Sequence, residues 1–152
     1  VCIVPEKRKE ITTEGGLNLI KNKKNIKFII KKLNNCNIRT SLFINPSFKD
    51  IKIAKEIGTK CVEIHTGRIS NLIKKNKNFK NEYIKIKKAS IYAESLKLEV
   101  HAGHGLDYKT TSVLTKIPQI TEYNIGHFII GESLEFGLRE VIRKFKKILK
   151  NK

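Results

Sequence analysis

The stretch KCVEIHTG, residues 60–67, decides the fold. It has the length and β-branched content of a strand, with Gly58 just before it and Gly67 at its end. One side-chain parity is Val62, Ile64 and Thr66; the other is Cys61, Glu63 and His65. An open parallel sheet covered by helices on both faces needs apolar residues on both parities. In a (β/α)8 barrel the inward parity near the mouth can carry polar groups. Glu63 and His65 pointing the same way from mid-strand therefore favour an α/β fold of the TIM-barrel kind. A doubly wound sheet is the alternative.

Upstream, residues 1–8 (VCIVPEKR) read as a short strand stopped by Pro5, and residues 11–16 (ITTEGG) as a polar loop. Residues 26–33 read as the end of a helix, with Phe28, Ile29, Ile30 and Leu33 on one broad apolar side. Residues 39–45 (RTSLFIN) form the next strand, closed by Pro46. Phe48, Ile51, Ala54 and Ile57 then recur at helical spacing up to Gly58, a C-cap residue. Downstream, the Lys- and Asn-rich residues 68–81 read as a loop or a solvated helix start. A helix over 84–96, a strand over 98–102, a short helix over 111–116 and a strand over 120–125 follow. Residues 136–149 close the chain as an amphipathic helix with Leu138, Val141, Ile142, Phe145 and Leu149 as its stripe. Strands alternating with helices mean βα units and a parallel sheet. No repeat or linker divides the chain, so 1–152 is read as a single domain.

The chemistry concentrates where strands end. LEVHAGHGLDY, residues 98–108, is an apolar strand followed by Gly103-His104-Gly105. A glycine-bracketed imidazole at a strand's C-terminal mouth sets a general acid/base beside exposed backbone N–H groups. EYNIGHFIIGES, residues 122–133, repeats the logic with Gly126-His127. Barrels commonly bind phosphate with the loops after their last two strands and a helix N-terminus. Glu63 is a carboxylate inside an apolar strand, which calls either for a structural partner or for a catalytic role. His101 and His104 raise the question of a metal pair. No neighbouring Cys or carboxylate in the sequence completes a ligand set, and the i, i+3 spacing is not the HExxH arrangement, so no metal is expected.

The net charge of +18 invites a nucleic-acid reading. Only five of the 32 basic residues are Arg (Arg8, Arg39, Arg68, Arg139, Arg143). Lys, Asn and Ile are inflated together, as AT-rich codons would produce. Arg for base contacts and aromatics for stacking are not clustered. Neither a nucleic-acid partner nor a membrane is expected, since no apolar run approaches a membrane span. Three widely spaced cysteines, Cys2, Cys36 and Cys61, suit a reducing, cytoplasmic compartment. Met is absent and the chain opens on a strand-like Val1-Cys2-Ile3-Val4, so it is read as a piece of a longer protein.

VPEKR and TTEGGL near the start, LFI, EIHTG, AGHGL and NIGH with IIG, in this order and spacing, resemble the pyridoxine 5′-phosphate synthase family over essentially the whole chain. The resemblance implies a (β/α)8 barrel entered here at about the fourth strand. It implies condensation of 3-amino-2-oxopropyl phosphate with 1-deoxy-D-xylulose 5-phosphate to pyridoxine 5′-phosphate, phosphate and water. It implies no cofactor, phosphorylated small-molecule substrates, and a homo-oligomer, an octamer in the family. By the same resemblance His104 is the proton donor and Glu63 the transition-state stabiliser, while Thr12, Gly105, Gly126 and His127 bind substrate or its phosphate. His101, Phe128 and Glu132 depart from the family's usual residues. The family's early-strand acid/base groups match nothing in these residues, so the 152-residue piece alone is expected to be inactive and poorly stable. A non-catalytic remnant and a basic nucleic-acid-binding module are the other readings; salt-sensitive polyanion binding would mark the latter.

Overall fold

A computed structural model describes residues 1–5 and 15–150. Five strands form one parallel sheet: β1 (Cys2–Ile3), β2 (Ser41–Ile44), β3 (Cys61–His65), β4 (Glu99–Gly103) and β5 (Ile120–Asn124). They lie side by side in sequence order. A doubly wound sheet reverses its strand order at a switch point, and this sheet has no such reversal.

The helices are α1 (Leu19–Asn35), α2 (Phe48–Ile57), α3 (Gly67–Lys74), α4 (Lys80–Ser95), α5 (Tyr108–Leu114), α6 (His127–Phe136) and α7 (Leu138–Lys150). Their starts follow local chemistry. The side chains of Asn18, Ser47 and Asp107 accept from the backbone N–H groups of Lys21, Asp50 and Thr110. Gly58 ends α2 in the left-handed conformation. Among the described residues no helix is long and apolar enough to cross a membrane.

The two sheet faces differ sharply. Leu42, Ile44, Val62, Ile64, Val100 and Ala102 join one buried apolar core with Ile30, Ile51 and Ile86 from the helices. Each of the Val, Leu and Ile side chains among them contributes about 1.5–3 kcal/mol when fully buried. The opposite face carries Ser41, Cys61, Glu63, His65, Glu99 and His101. β5 joins this polar face through an irregularity. Val100 pairs with Ile120, but His101 pairs with Glu122, leaving Thr121 as the extra residue. Thr121 Oγ1 donates to the Val100 carbonyl at 3.2 Å. The bulge turns Glu122 and Asn124 onto the polar face while Ile120 stays in the core.

Three local expectations need correction. Of the loop or solvated helix start expected over residues 68–81, the helix is found over Gly67–Lys74, but it is not merely solvated: α3 buries Ile69 and Ile73, spaced i, i+4, and Ser70. Phe28 and Ile29 do not share the buried side of α1; they are 60% and 43% exposed, and Ile26 and Ile30 face the core instead. The helix expected over 136–149 is α7, which starts at Leu138, and a further helix, α6, precedes it. Gly137, at φ 76°, separates α6 from α7, and Leu138 is exposed while Val141 and Phe145 are buried. Phe145 packs on Tyr108 and Phe128, with ring centroids 4.7 and 5.9 Å away.

Candidate active site

Because every strand is parallel, the chain leaves the sheet repeatedly at one edge. His65, Gly103 and Asn124 end β3, β4 and β5 in mutual register there. His104 follows Gly103 with φ 77°, and Gly105 with φ 74°. A left-handed non-glycine residue costs about 1–3 kcal/mol and persists only where its surroundings hold it. Thr66 does the holding. Its N–H donates to the Gly103 carbonyl at 2.9 Å. Its hydroxyl lies 2.7 Å from that oxygen and 2.8 Å from the His104 carbonyl. The hydroxyl is fully buried.

The His104 ring stacks at a tilt on the His65 ring, centroids 4.9 Å apart, and His65 meets Phe43 edge-on at 5.3 Å. Gly67 makes room for both imidazoles: a Cβ there would sit 2.6 Å from His104 Cδ2 and 2.8 Å from His65 Nε2. Burial, then the nearby His104, push the His65 pKa down to about 4. Burial also lowers His104, helped by His127 and Lys74 and opposed by Glu63. Both rings are thus held neutral near pH 7. The His65 Nε2 atom is buried without a hydrogen-bond partner.

A cavity of about 670 Å³ opens at this edge, lined by Lys74, His104, Gly105, Asn124, Gly126 and His127. α6 starts at His127, with Gly126 as its cap. Gly126 has no side chain to occupy the first-turn N–H donors, which remain available to an anion. A second cavity of about 590 Å³ shares His104 and is lined by His65, Arg68, Lys75 and Lys77.

Glu63 lies on the polar face, as its parity predicts, and is buried. It accepts from Asn124 Nδ2 at 2.7 Å and from the Cys2 thiol at 3.2 Å. Burial, then Glu63, push that thiol up to about 12, so it is a neutral donor. Glu63 does not line the cavity of His104. It lines a smaller one of about 320 Å³, and Asn124 borders both. Thr12 lies outside the described residues. Leu17, which is described, donates its N–H to the Phe43 carbonyl near the C-terminal end of β2 at 2.8 Å.

The structure brings His104, Gly105, Gly126 and His127 to one cavity. Sequence reasoning passed over Thr66, Asn124 and Lys74, and used His65 only for its parity. His101 and His104 do not pair. His101 is buried at mid-strand between Glu99 and Glu122, at 3.2 and 3.5 Å. A Cys and a carboxylate do lie beside it: Cys61 reaches it from β3, and Glu99 from two residues earlier on β4.

The family model described as pyridoxal phosphate biosynthesis protein PdxJ matches residues 1–151. A curated pyridoxine 5′-phosphate synthase of Pelagibacter ubique is 70% identical over 148 residues, which are 97% of this chain and 62% of that protein. Proteins of the same name from Sulfurihydrogenibium sp. and Bdellovibrio bacteriovorus are 44% and 43% identical. Each of those two alignments covers 99% of this chain and 61% of the relative. The chain therefore spans about three fifths of the length of these curated relatives.

Proposed function

The chain belongs to the PdxJ family of pyridoxal phosphate biosynthesis proteins, and from that premise we propose that the whole protein is a pyridoxine 5′-phosphate synthase. In this reading it condenses 3-amino-2-oxopropyl phosphate with 1-deoxy-D-xylulose 5-phosphate, releasing pyridoxine 5′-phosphate, phosphate and water. The five sequential strands are then an arc of a closed (β/α)8 barrel whose polar face is the lumen. A cytoplasmic homo-oligomer without an organic or metal cofactor in the reaction goes with the same reading.

The observation that carries the proposal is His104. It is a neutral imidazole in a left-handed turn, sharing one cavity with Gly105, Lys74 and the N-terminus of α6. Such a cavity binds a phosphate monoester and puts an acid/base group beside it. Imine formation, dehydration, phosphate loss and ring closure are all proton transfers around carbonyls. At rest His104 is deprotonated at one nitrogen and can accept a proton. A bound phosphate brings negative charge toward His127 and Lys74, offsets their repulsion and favours the imidazolium, which then donates. The Glu63 carboxylate faces positive charge developing on an imine nitrogen. Gly105, Gly126 and His127 hold phosphate, and Thr12 contacts substrate.

The test is to assay the whole protein with both phosphorylated substrates. His104→Asn should lower turnover by about two to four orders of magnitude with the fold intact. Near-normal turnover in that variant removes His104 from the mechanism, and no product from the wild-type protein removes the activity.

A further inference from the structure

At the other end of the polar face, away from His104, three strands place a mixed ligand set in one spot. Cys61 opens β3 and is paired in register with Glu99, which opens β4. His101 follows two residues later on the same face of β4, and the Thr121 bulge brings Glu122 beside it from β5. One donor atom each from Cys61, Glu99 and His101 lie within 4.8 Å of one another. We propose that Cys61 Sγ, Glu99 and His101 Nε2 form a binding site for a borderline divalent transition metal of the zinc class, with water as the fourth ligand and Glu122 holding the other ring nitrogen of His101, Nδ1, at 3.5 Å.

Two of the ligand spacings are close to those of a tetrahedral shell. Zinc takes histidine nitrogen and carboxylate oxygen at about 2.0–2.2 Å and thiolate sulfur at about 2.3 Å, so neighbouring ligand atoms sit about 3.3–3.6 Å apart. His101 Nε2 to Glu99 Oε1 is 3.2 Å, and Cys61 Sγ to Glu99 Oε2 is 3.7 Å. The ligand types match as well. One soft thiolate, one imidazole and one carboxylate suit zinc or cobalt(II) rather than magnesium or calcium, which prefer all-oxygen shells. Cys61 and His101 are buried, at 0% and 2% exposure, so the cation would be shielded on one side by the sheet itself.

Arg39 is the competitor. Its guanidinium donates to both Glu99 oxygens at 2.9 Å and to Glu122 at 3.1 Å. Its side chain is 55% exposed, so it can withdraw into water when a cation takes the carboxylate. Metal binding replaces the thiol proton of Cys61, which passes to solvent, and it exchanges the Arg39–Glu99 contact for a metal–carboxylate bond. The result would staple β3, β4 and, through Glu122, β5 at their N-terminal ends. In barrels that end serves stability rather than catalysis.

Cobalt(II) is the probe, titrated into the whole protein after chelator treatment. The expected result is one ion per chain, with thiolate-to-metal charge-transfer absorption in the near ultraviolet and the strong visible bands of four-coordinate cobalt. Cys61→Ser and Glu99→Gln should each weaken binding by about two orders of magnitude or more. Cys36→Ser should leave it unchanged, and Arg39→Gln should strengthen it severalfold by freeing Glu99. Zinc should raise the Tm of the wild-type protein and not that of Glu99→Gln. If Cys61→Ser does not fold, the half-exposed Glu99 decides the matter through its own variant. A weak six-coordinate spectrum without charge transfer, or an unchanged spectrum in Glu99→Gln, overturns the site. So does loss of binding on replacing Cys36 instead.

Discussion

The Asn124 amide donates to Glu63 Oε2 at 2.7 Å, linking the last residue of β5 to the middle of β3 across the polar face. Asn124 also borders the His104 cavity. It is thus the side chain shared by the carboxylate and the imidazole, which otherwise face separate cavities. Asn124→Leu keeps the volume and removes the donor, leaving the buried Glu63, among the described residues, with the Cys2 thiol. The cost expected for that is about 1–3 kcal/mol of stability, read by urea unfolding. Turnover should fall more than phosphate affinity, because Gly126 and His127 are untouched. Equal losses in both would place Asn124 in phosphate binding rather than in orienting Glu63.

Thr66 holds His104 in its strained turn through one buried hydroxyl near two carbonyl oxygens. Thr66→Val is nearly isosteric and deletes that hydroxyl. We expect a loss of about 1–3 kcal/mol, chiefly from the part-buried His104 carbonyl, since the Gly103 carbonyl keeps the Thr66 N–H. A drop in turnover of about 10- to 100-fold should accompany it as the ring shifts. Thr66→Ser should recover most of both. Full activity in the valine variant would show that the glycines alone fix the turn.

The strands and their order of polarity were legible because β3 separates its parities so clearly. β5 was not legible in the same way. By counting, Ile120 and Glu122 share a parity, yet they face opposite sides, since the extra residue Thr121 appears only when β4 is laid beside β5. α3 was hidden by exposed Arg68, Asn71, Lys74 and Lys75, which outnumber the Ile69 and Ile73 pair that anchors it. The His104 cavity was legible because glycine and histidine at strand ends have a local meaning. The contacts of Thr66 and Asn124, and the meeting of Cys61 with His101, join residues 37 or more positions apart and need the sheet register.

Gly67 is required for space rather than for its backbone angle. A Cβ would press on His104 and His65 together, both closer than any ordinary carbon contact. Alanine at a helix's first position is otherwise favourable, so Gly67→Ala should leave circular dichroism unchanged. Displacing the paired rings should cost about 10- to 100-fold in turnover. Wild-type rates would mean that the two imidazoles can move apart without consequence.

His65 should make stability depend on pH in a defined direction. Its pKa is about 4 in the folded chain against 6.5 ordinarily, because burial and then His104 disfavour the imidazolium. Between those values the unfolded chain binds the proton and the folded chain does not. By linkage, stability is therefore fully present above about pH 6.5 and falls as the pH drops toward 4. Below that both states are protonated and this contribution stops changing. His104, also lowered, adds to the slope in the same sense. Urea unfolding at intervals from pH 8 to pH 4 should show the decline, and His65→Asn should flatten it, since the variant has no proton to take up there. A variant whose stability falls as steeply as the wild type would assign the acid sensitivity to other groups and would mean that His65 is protonated in the folded chain.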